Sequence, residues 1–240
     1  MKRWQSSGRY AETNELLVMP YDYIIIKTEV TMNKMSLLLV LFWTLGMVSP
    51  ASAQVHVGVL GGLNLANLSV NPDEGVDWSK RTVYGFGGVL AYDLSESVGL
   101  YLEPMYLQKG TEGTNAEGTD IIAKLTYIEV PVLFKYAFGA SNTKPYLIAG
   151  PSISFNLSAK VEDKSTSTEI DVDDRFKSVD FGLGFGAGVS LLIGNNSIFV
   201  EARYALGLSN INDDPDIPDT NVKTKGIQFF AGITFVLRRK

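Results

Sequence analysis

From Val55 onward, apolar residues recur at every second position rather than every third or fourth. The stretch 179–193 shows it most plainly. Val179, Phe181, Leu183, Phe185, Ala187, Val189, Leu191 and Ile193 alternate there with Asp180, Gly182, Gly184, Gly186, Gly188, Ser190 and Leu192. A helix would scatter the two sets around its circumference, whereas a strand sends them to opposite faces. The same alternation predicts eight strands, near 55–66, 82–92, 98–109, 122–137, 145–158, 179–193, 198–206 and 227–237. They are long beside the usual ~5–6 residues and match the ~9–11 needed to cross a bilayer at a tilt.

The connections alternate in length. Asp93–Ser97, Gly139–Lys144 and Gly194–Asn196 are brief, whereas Asn67–Arg81, Gly110–Ile121, Ala159–Arg175 and Ser209–Thr224 are long. An even number of alternating strands with this loop rhythm predicts an all-β fold. It is an eight-stranded antiparallel up-and-down transmembrane β-barrel with short periplasmic turns and long extracellular loops. The strand parities then put every charge well inside a strand on the inner face. Glu103 opposes Leu102 and Pro104, Glu129 and Lys135 oppose Ile128 and Phe134, and Asp180, Glu201 and Arg203 also point inward. An eight-stranded lumen is just wide enough for side chains to fill it, and buried charges persist when paired. The predicted lumen is therefore a structural charge network in which Glu103, Glu129, Glu201 and Asp180 are partners of Lys135 and Arg203; a proton or ion path is the rival reading. Tyr92, Tyr136, Tyr204 and Phe235 are candidates for interfacial aromatic belts.

Upstream of the barrel, Lys34, the 13-residue apolar run Ser36–Val48 and the small-x-small site Ala51-Ser52-Ala53 have the three-part layout of a secretory signal peptide. The run is too short for a spanning helix. Residues 1–31 read as a non-native upstream extension, 32–53 as the signal peptide and 54–240 as the barrel domain. That domain carries a net charge of −6.

Composition narrows the chemistry. With no cysteine, disulfides, thiolate metal sites and cysteine nucleophiles are excluded, and one histidine excludes a His-rich metal site. The net charge of −5 for the whole chain opposes nucleic-acid binding. The glycines at 182–188 recur every second residue within a strand, unlike a dinucleotide loop between strand and helix. Gly150-Pro151-Ser152-Ile153-Ser154 lacks the second glycine of a nucleophile elbow. His56 is the single imidazole and lies at the start of the first strand, where a structural role is expected. Sixteen of the barrel's twenty-two acids fall in the long loops. Asp171-Val172-Asp173-Asp174 and Asn212-Asp213-Asp214-Pro215-Asp216 offer hard oxygens for Ca²⁺, yet neither has EF-hand spacing. Solvated loop charge is the expectation, with no metal and no cofactor.

Three stretches resemble the PorT-like outer-membrane β-barrel family, among barrels of the OmpA/OmpX type: Gly58-Val59-Leu60-Gly61-Gly62-Leu63-Asn64, Tyr127-Ile128-Glu129-Val130-Pro131-Val132-Leu133-Phe134-Lys135-Tyr136 and Pro145-Tyr146-Leu147-Ile148-Ala149-Gly150-Pro151. The resemblance implies an outer-membrane location and no catalytic residues. Its name-giving member is linked to secretion and gliding machinery. The chain departs from many outer-membrane barrels in ending Leu237-Arg238-Arg239-Lys240 rather than on an aromatic residue. The expected protein is a non-enzymatic, monomeric outer-membrane barrel with lipids around it. Its acidic loops do structural or surface-binding work. The alternatives are a narrow pore or an accessory of a secretion apparatus with protein partners, a lipid-directed enzyme using His56, and a soluble lipocalin-type carrier, which the inward charges oppose.

Overall fold

Period-two alternation gives the chain one apolar and one mixed face per strand, and a sheet with such faces is stable when it curls so that each meets its own medium. The computed structural model describes residues 54–71, 77–114, 118–139 and 141–237; the expected signal peptide and the segment before it lie outside these residues. Eleven strands form one antiparallel sheet: β1 (Gln54–Asn71), β2 (Asp77–Ser79), β3 (Arg81–Asp93), β4 (Val98–Leu102), β5 (Met105–Thr114), β6 (Asp120–Ala137), β7 (Thr143–Asp163), β8 (Thr168–Asp171), β9 (Val179–Ile193), β10 (Asn196–Gly207) and β11 (Asn221–Leu237). A 3-10 turn at Asp173–Arg175 is the only helical element among the described residues.

The pairings close on themselves. They run from β1 to β3, on to β4 and β5, then β6, β7, β9, β10 and β11. From there they return to β1 along a ladder from Val55↔Leu237 to Asn71↔Asn221. β2 and β8 lie outside this ring, on β5 and β7. Gln54 and Leu237 share one end of the ring with the turns 94–97 and 194–195 and with the β6–β7 connection. Gly194 supplies a left-handed φ of 64° in the tightest of them.

Strand boundaries depart from the sequence expectation in two informative ways. The segment expected as one strand over 98–109 is two, parted by Glu103-Pro104. Proline has no N–H for the ladder, and the gap is patched by Gly88 N–H donating to the Pro104 carbonyl at 2.9 Å and Glu103 N–H to that of Pro131 at 3.2 Å. The second departure lies at the opposite end, where strands continue well into the expected loops. β1 reaches Asn71, β7 reaches Asp163, β8 folds back on it within the expected loop 159–175, and β11 begins at Asn221. Each extension offers only one or two apolar side chains, such as Leu68, Ala159 and Val222, among polar neighbours, so the hydrophobic alternation is too short to mark them and backbone pairing shows them as strands. A bulge in β7, where Ser158 pairs with Thr126 and Asn156 with Tyr127, leaves Leu157 as the extra residue.

Side-chain direction follows the predicted parity. Val59, Phe86, Phe134, Leu147, Phe181, Phe185, Val200 and Phe229 are exposed on the outer wall, while Asn64, Glu129, Asp180, Arg203 and Gln228 are buried inside. Some neighbouring strands approach closely. A Cβ on Gly150 would sit 1.9 Å from the Val132 carbonyl oxygen, whereas one on Gly184 would meet nothing nearer than Leu133 at 4.0 Å.

Two glycine variants test this closure on a detergent gel run with and without heating. Gly150→Val should lower the temperature at which the compact band converts to the unfolded one, by the ~1–3 kcal/mol of an overpacked site. Gly184→Ala should leave it unchanged.

Candidate functional site

The inner face of the ring gathers the chain's buried charges into two linked groups. Arg203 on β10 bonds Glu103, at the β4–β5 break, and Glu201, two residues before it on the same face. The Tyr146 hydroxyl donates to the other oxygen of Glu201 at 2.9 Å, and the Phe230 ring lies 5.2 Å from the guanidinium. Nearer the long-loop end, Lys109 Nζ lies 2.7 Å from Glu129 and 3.8 Å from Asp180. The Ser154 hydroxyl accepts from Lys109 at 3.1 Å and donates to Glu129 at 3.0 Å, and Thr224 donates to Asp180 at 2.8 Å. Each buried carboxylate thus has a cation or a hydroxyl as partner, which offsets its desolvation.

Of the six residues the sequence singled out for the lumen, Glu103, Glu129, Asp180, Glu201 and Arg203 are brought together here. Lys135 is the exception. It forms no ion pair among the described residues; its Nζ lies 3.8 Å from the Tyr146 ring centroid and 4.7 Å from that of Tyr101. The cation that pairs with Glu129 and Asp180 is Lys109, which sequence reasoning missed. It sits where the apolar pattern fades, at the expected end of a strand that in fact continues to Thr114. The signal was available as parity: 103, 105, 107 and 109 share a face, and Met105, Leu107 and Lys109 are all buried.

Two apolar plates line the inner face among the charges. Leu60, Met105, Leu107, Leu133, Ile148 and Phe199 belong to one. Leu68, Leu125, Tyr127, Val222 and Ile211 belong to the other. Ile211 is the informative member, since it comes from the long loop before β11 yet is 0% exposed. It is seated by an exchange of backbone bonds, Ile211 N–H to Val222 and Lys177 N–H to Ile211, both at 2.8–2.9 Å. The Arg175–Asp214 ion pair at 2.9 Å ties this loop to the 3-10 turn. Val172 and Phe176 pack against the same plate.

The acidic runs considered for Ca²⁺ are engaged within these loops. Asp173 accepts from the Ala159 N–H, Asp171 from the Asp173 N–H at 3.1 Å, and Asp214 from the Asp216 N–H at 2.9 Å as well as from Arg175. Among the described residues, no three metal-ligating side chains are grouped. His56 Nε2 lies 2.8 Å from Asp93 Oδ2 at the short-turn end, and no hydrogen bond joins the ring to a hydroxyl among the described residues.

On the outer wall, Tyr136, Tyr204 and Phe235 are exposed as expected of belt residues, and Tyr92 is half-buried. Beyond the apolar wall, the β6–β7–β8 extension carries exposed ion pairs. Lys124 reaches Glu162 at 2.5 Å and Glu169 at 2.8 Å, and Lys160 reaches Glu169 at 2.7 Å. Hydrogen bonds from Lys124 and Lys160 hold the Glu169 carboxyl down at about 2.

With this geometry in place, comparison with known proteins is decisive on family. The model of the outer membrane protein beta-barrel domain matches residues 49–213, and the chain belongs to that family. It is an outer-membrane β-barrel protein. Neisserial surface protein A is a similar solved structure, with 18% identity and TM-score 0.42 over 76% of this chain and 96% of that one. A major outer membrane protein of Thermus thermophilus has 10% identity and TM-score 0.50, covering 78% and 100%. OprG of Pseudomonas aeruginosa has 12% identity and TM-score 0.46, covering 78% and 96%. At these identities the likeness is one of fold. No curated relative matches the chain.

The charges carry two expected outcomes. Arg203→Met leaves Glu103 and Glu201 buried without their cation and should destabilise the barrel by about 3–5 kcal/mol, read from urea unfolding in lipid vesicles. Adding Glu103→Leu and Glu201→Leu should restore most of the loss. Glu169, held below the ordinary glutamate value of ~4.3, stabilises the β7–β8 extension fully above that value and loses the effect as pH falls through about 2. Its carboxyl ¹³C signal should still report an ionised group at about pH 3, and Lys124→Met with Lys160→Met should move the midpoint up toward ~4.3.

Proposed function

From that family membership we propose a non-enzymatic, eight-stranded, up-and-down transmembrane barrel. β4 and β5 count as one interrupted stave. The short turns face the periplasm and the long loops face outward. Its work is structural or surface-binding, done by the acidic outer loops, and its lumen charges serve to hold the wall together. The observation that carries this reading is the filled interior. Arg203 and Lys109 draw four carboxylates into the axis, and Ile211 closes the long-loop end above them. An ion would have to displace paired charges in a low-dielectric space, at a cost of several kcal/mol.

The hydrocarbon around the barrel is the outer-membrane lipid, met by the exposed apolar wall. The second reading, an accessory of a secretion apparatus, draws on the PorT-like stretches at 58–64, 127–136 and 145–151.

Planar-bilayer recording on the refolded protein tests the filled lumen. The expected trace has no discrete, steady openings. Reproducible unitary steps would favour the narrow pore and remove the structural reading.

A further inference from the structure

β8 ends the sheet on its side. It pairs with β7 through Lys160↔Asp171, Val161↔Ile170, Glu162↔Glu169 and Asp163↔Thr168. Among the described residues no strand pairs along its other edge, and all four of its residues are exposed. Such an edge offers a row of backbone N–H and C=O groups to any chain that lies beside it.

The side chains along the edge select what can lie there. One register row runs Ala123, Val161, Ile170 across β6, β7 and β8. Ala123 is buried, Val161 half-buried and Ile170 59% exposed, so apolar cover runs out where the strands do. The next row, on the opposite face, runs Lys124, Lys160, Asp171. Its two lysines are engaged, Lys124 by Glu162 and Glu169 and Lys160 by Glu169. Three carboxylates thus share two ammonium groups, and the chain runs on into Asp173 and Asp174. The neighbouring cations are taken as well: Lys164 is bound to Glu112 and Arg175 to Asp214. The edge is left acidic, with Asp171 accepting only the Asp173 N–H at 3.1 Å and joining no ion pair among the described residues.

We propose that the free edge of β8 takes up an extended, cationic segment of another protein as one further strand. An apolar residue of that segment covers Ile170, and a lysine or arginine next to it lies beside Asp171. Strand addition draws affinity from backbone bonds and specificity from alternating side chains. A second copy of β8 fits poorly. Paired antiparallel about Ile170, it would set Glu169 of each chain against Asp171 of the other, and like charges directly opposite are unfavourable. Those charges keep the edge from adding its own kind and leave it to a strand of opposite sign. The inference rests on the surface-binding reading of the outer loops and names the chemistry of the partner.

The test is an amide-shift NMR titration of the full chain refolded in zwitterionic detergent micelles at constant ionic strength. Three short peptides serve as probes: one alternating lysine and valine, its glutamate–valine counterpart, and the lysine–valine peptide with every backbone nitrogen methylated. The first should give saturable shifts over 160–163 and 168–171, at least tenfold tighter than either of the others. Asp171→Lys should weaken it at least fivefold, whereas Asp213→Asn, in the loop before β11, should leave it within twofold of the parent. Equal binding by the methylated peptide would show charge attraction without strand addition and overturn the inference. Failure of the lysine–valine peptide to saturate would do the same. Saturable shifts confined to 209–220 would also overturn it, yet would leave the surface-binding reading of the loops in place.

Discussion

A backbone N–H or C=O facing hydrocarbon has no water to turn to, and that single constraint organises the molecule. A sheet with free edges would leave a column of such groups unpaired, so β1 must find β11, and it does so along its whole length from Val55 to Asn71. Where the ladder cannot run, the chain repairs it locally. Pro104 withholds an N–H, and its carbonyl and that of Pro131 are taken by Gly88 and Glu103 instead. The same interruption holds Glu103 at the place where Arg203 reaches it from across the lumen. A defect in the wall thereby anchors the interior.

Closing the wall creates the second requirement. Inward-facing positions around the closed ring converge on a narrow axis, and polar groups placed there have few solvent partners. The result is a mixed interior in which an apolar cluster around Leu107 and Leu133, the charges tied by Arg203 and Lys109, and a second cluster reached by Ile211 share the lumen. Serine and threonine hydroxyls on β7 and β11 add hydrogen bonds to Glu129 and Asp180. The outer loops are part of this arrangement, because Ile211 and Phe176 reach down into the barrel and Arg175 fixes the loop that carries Ile211.

How much of this the sequence disclosed follows from which residues see two different media. Where one face of a strand meets hydrocarbon and the other the lumen, as at 179–193, alternation is strong and the expected and observed boundaries coincide. Where the outer face has left the apolar wall, as at 67–71, 159–163 and 168–171, polar residues dominate and strands look like loops, although Leu68 and Ala159 are buried within. Parity alone found Glu103, Glu129, Asp180, Glu201 and Arg203. It could not tell which cation each would choose, since pairing depends on distances across the ring. Lys109 was hidden by an end drawn too early, and Lys135 was given a carboxylate where the fold provides Tyr146 and Tyr101. The family assignment needed less, because loop rhythm and strand length are properties of the whole chain.

The β1–β11 seam joins the first described strand to the last, so the ring cannot be finished until the final strand exists. Pairing across such a sequence separation is slow to form. Until it forms, a partly zipped sheet carries two bare edges and a greasy outer face with no acyl chains against it. Strand zippering and entry into the bilayer therefore have to proceed together, and the interval before the seam shuts is when this polypeptide is most exposed to clumping with its own kind.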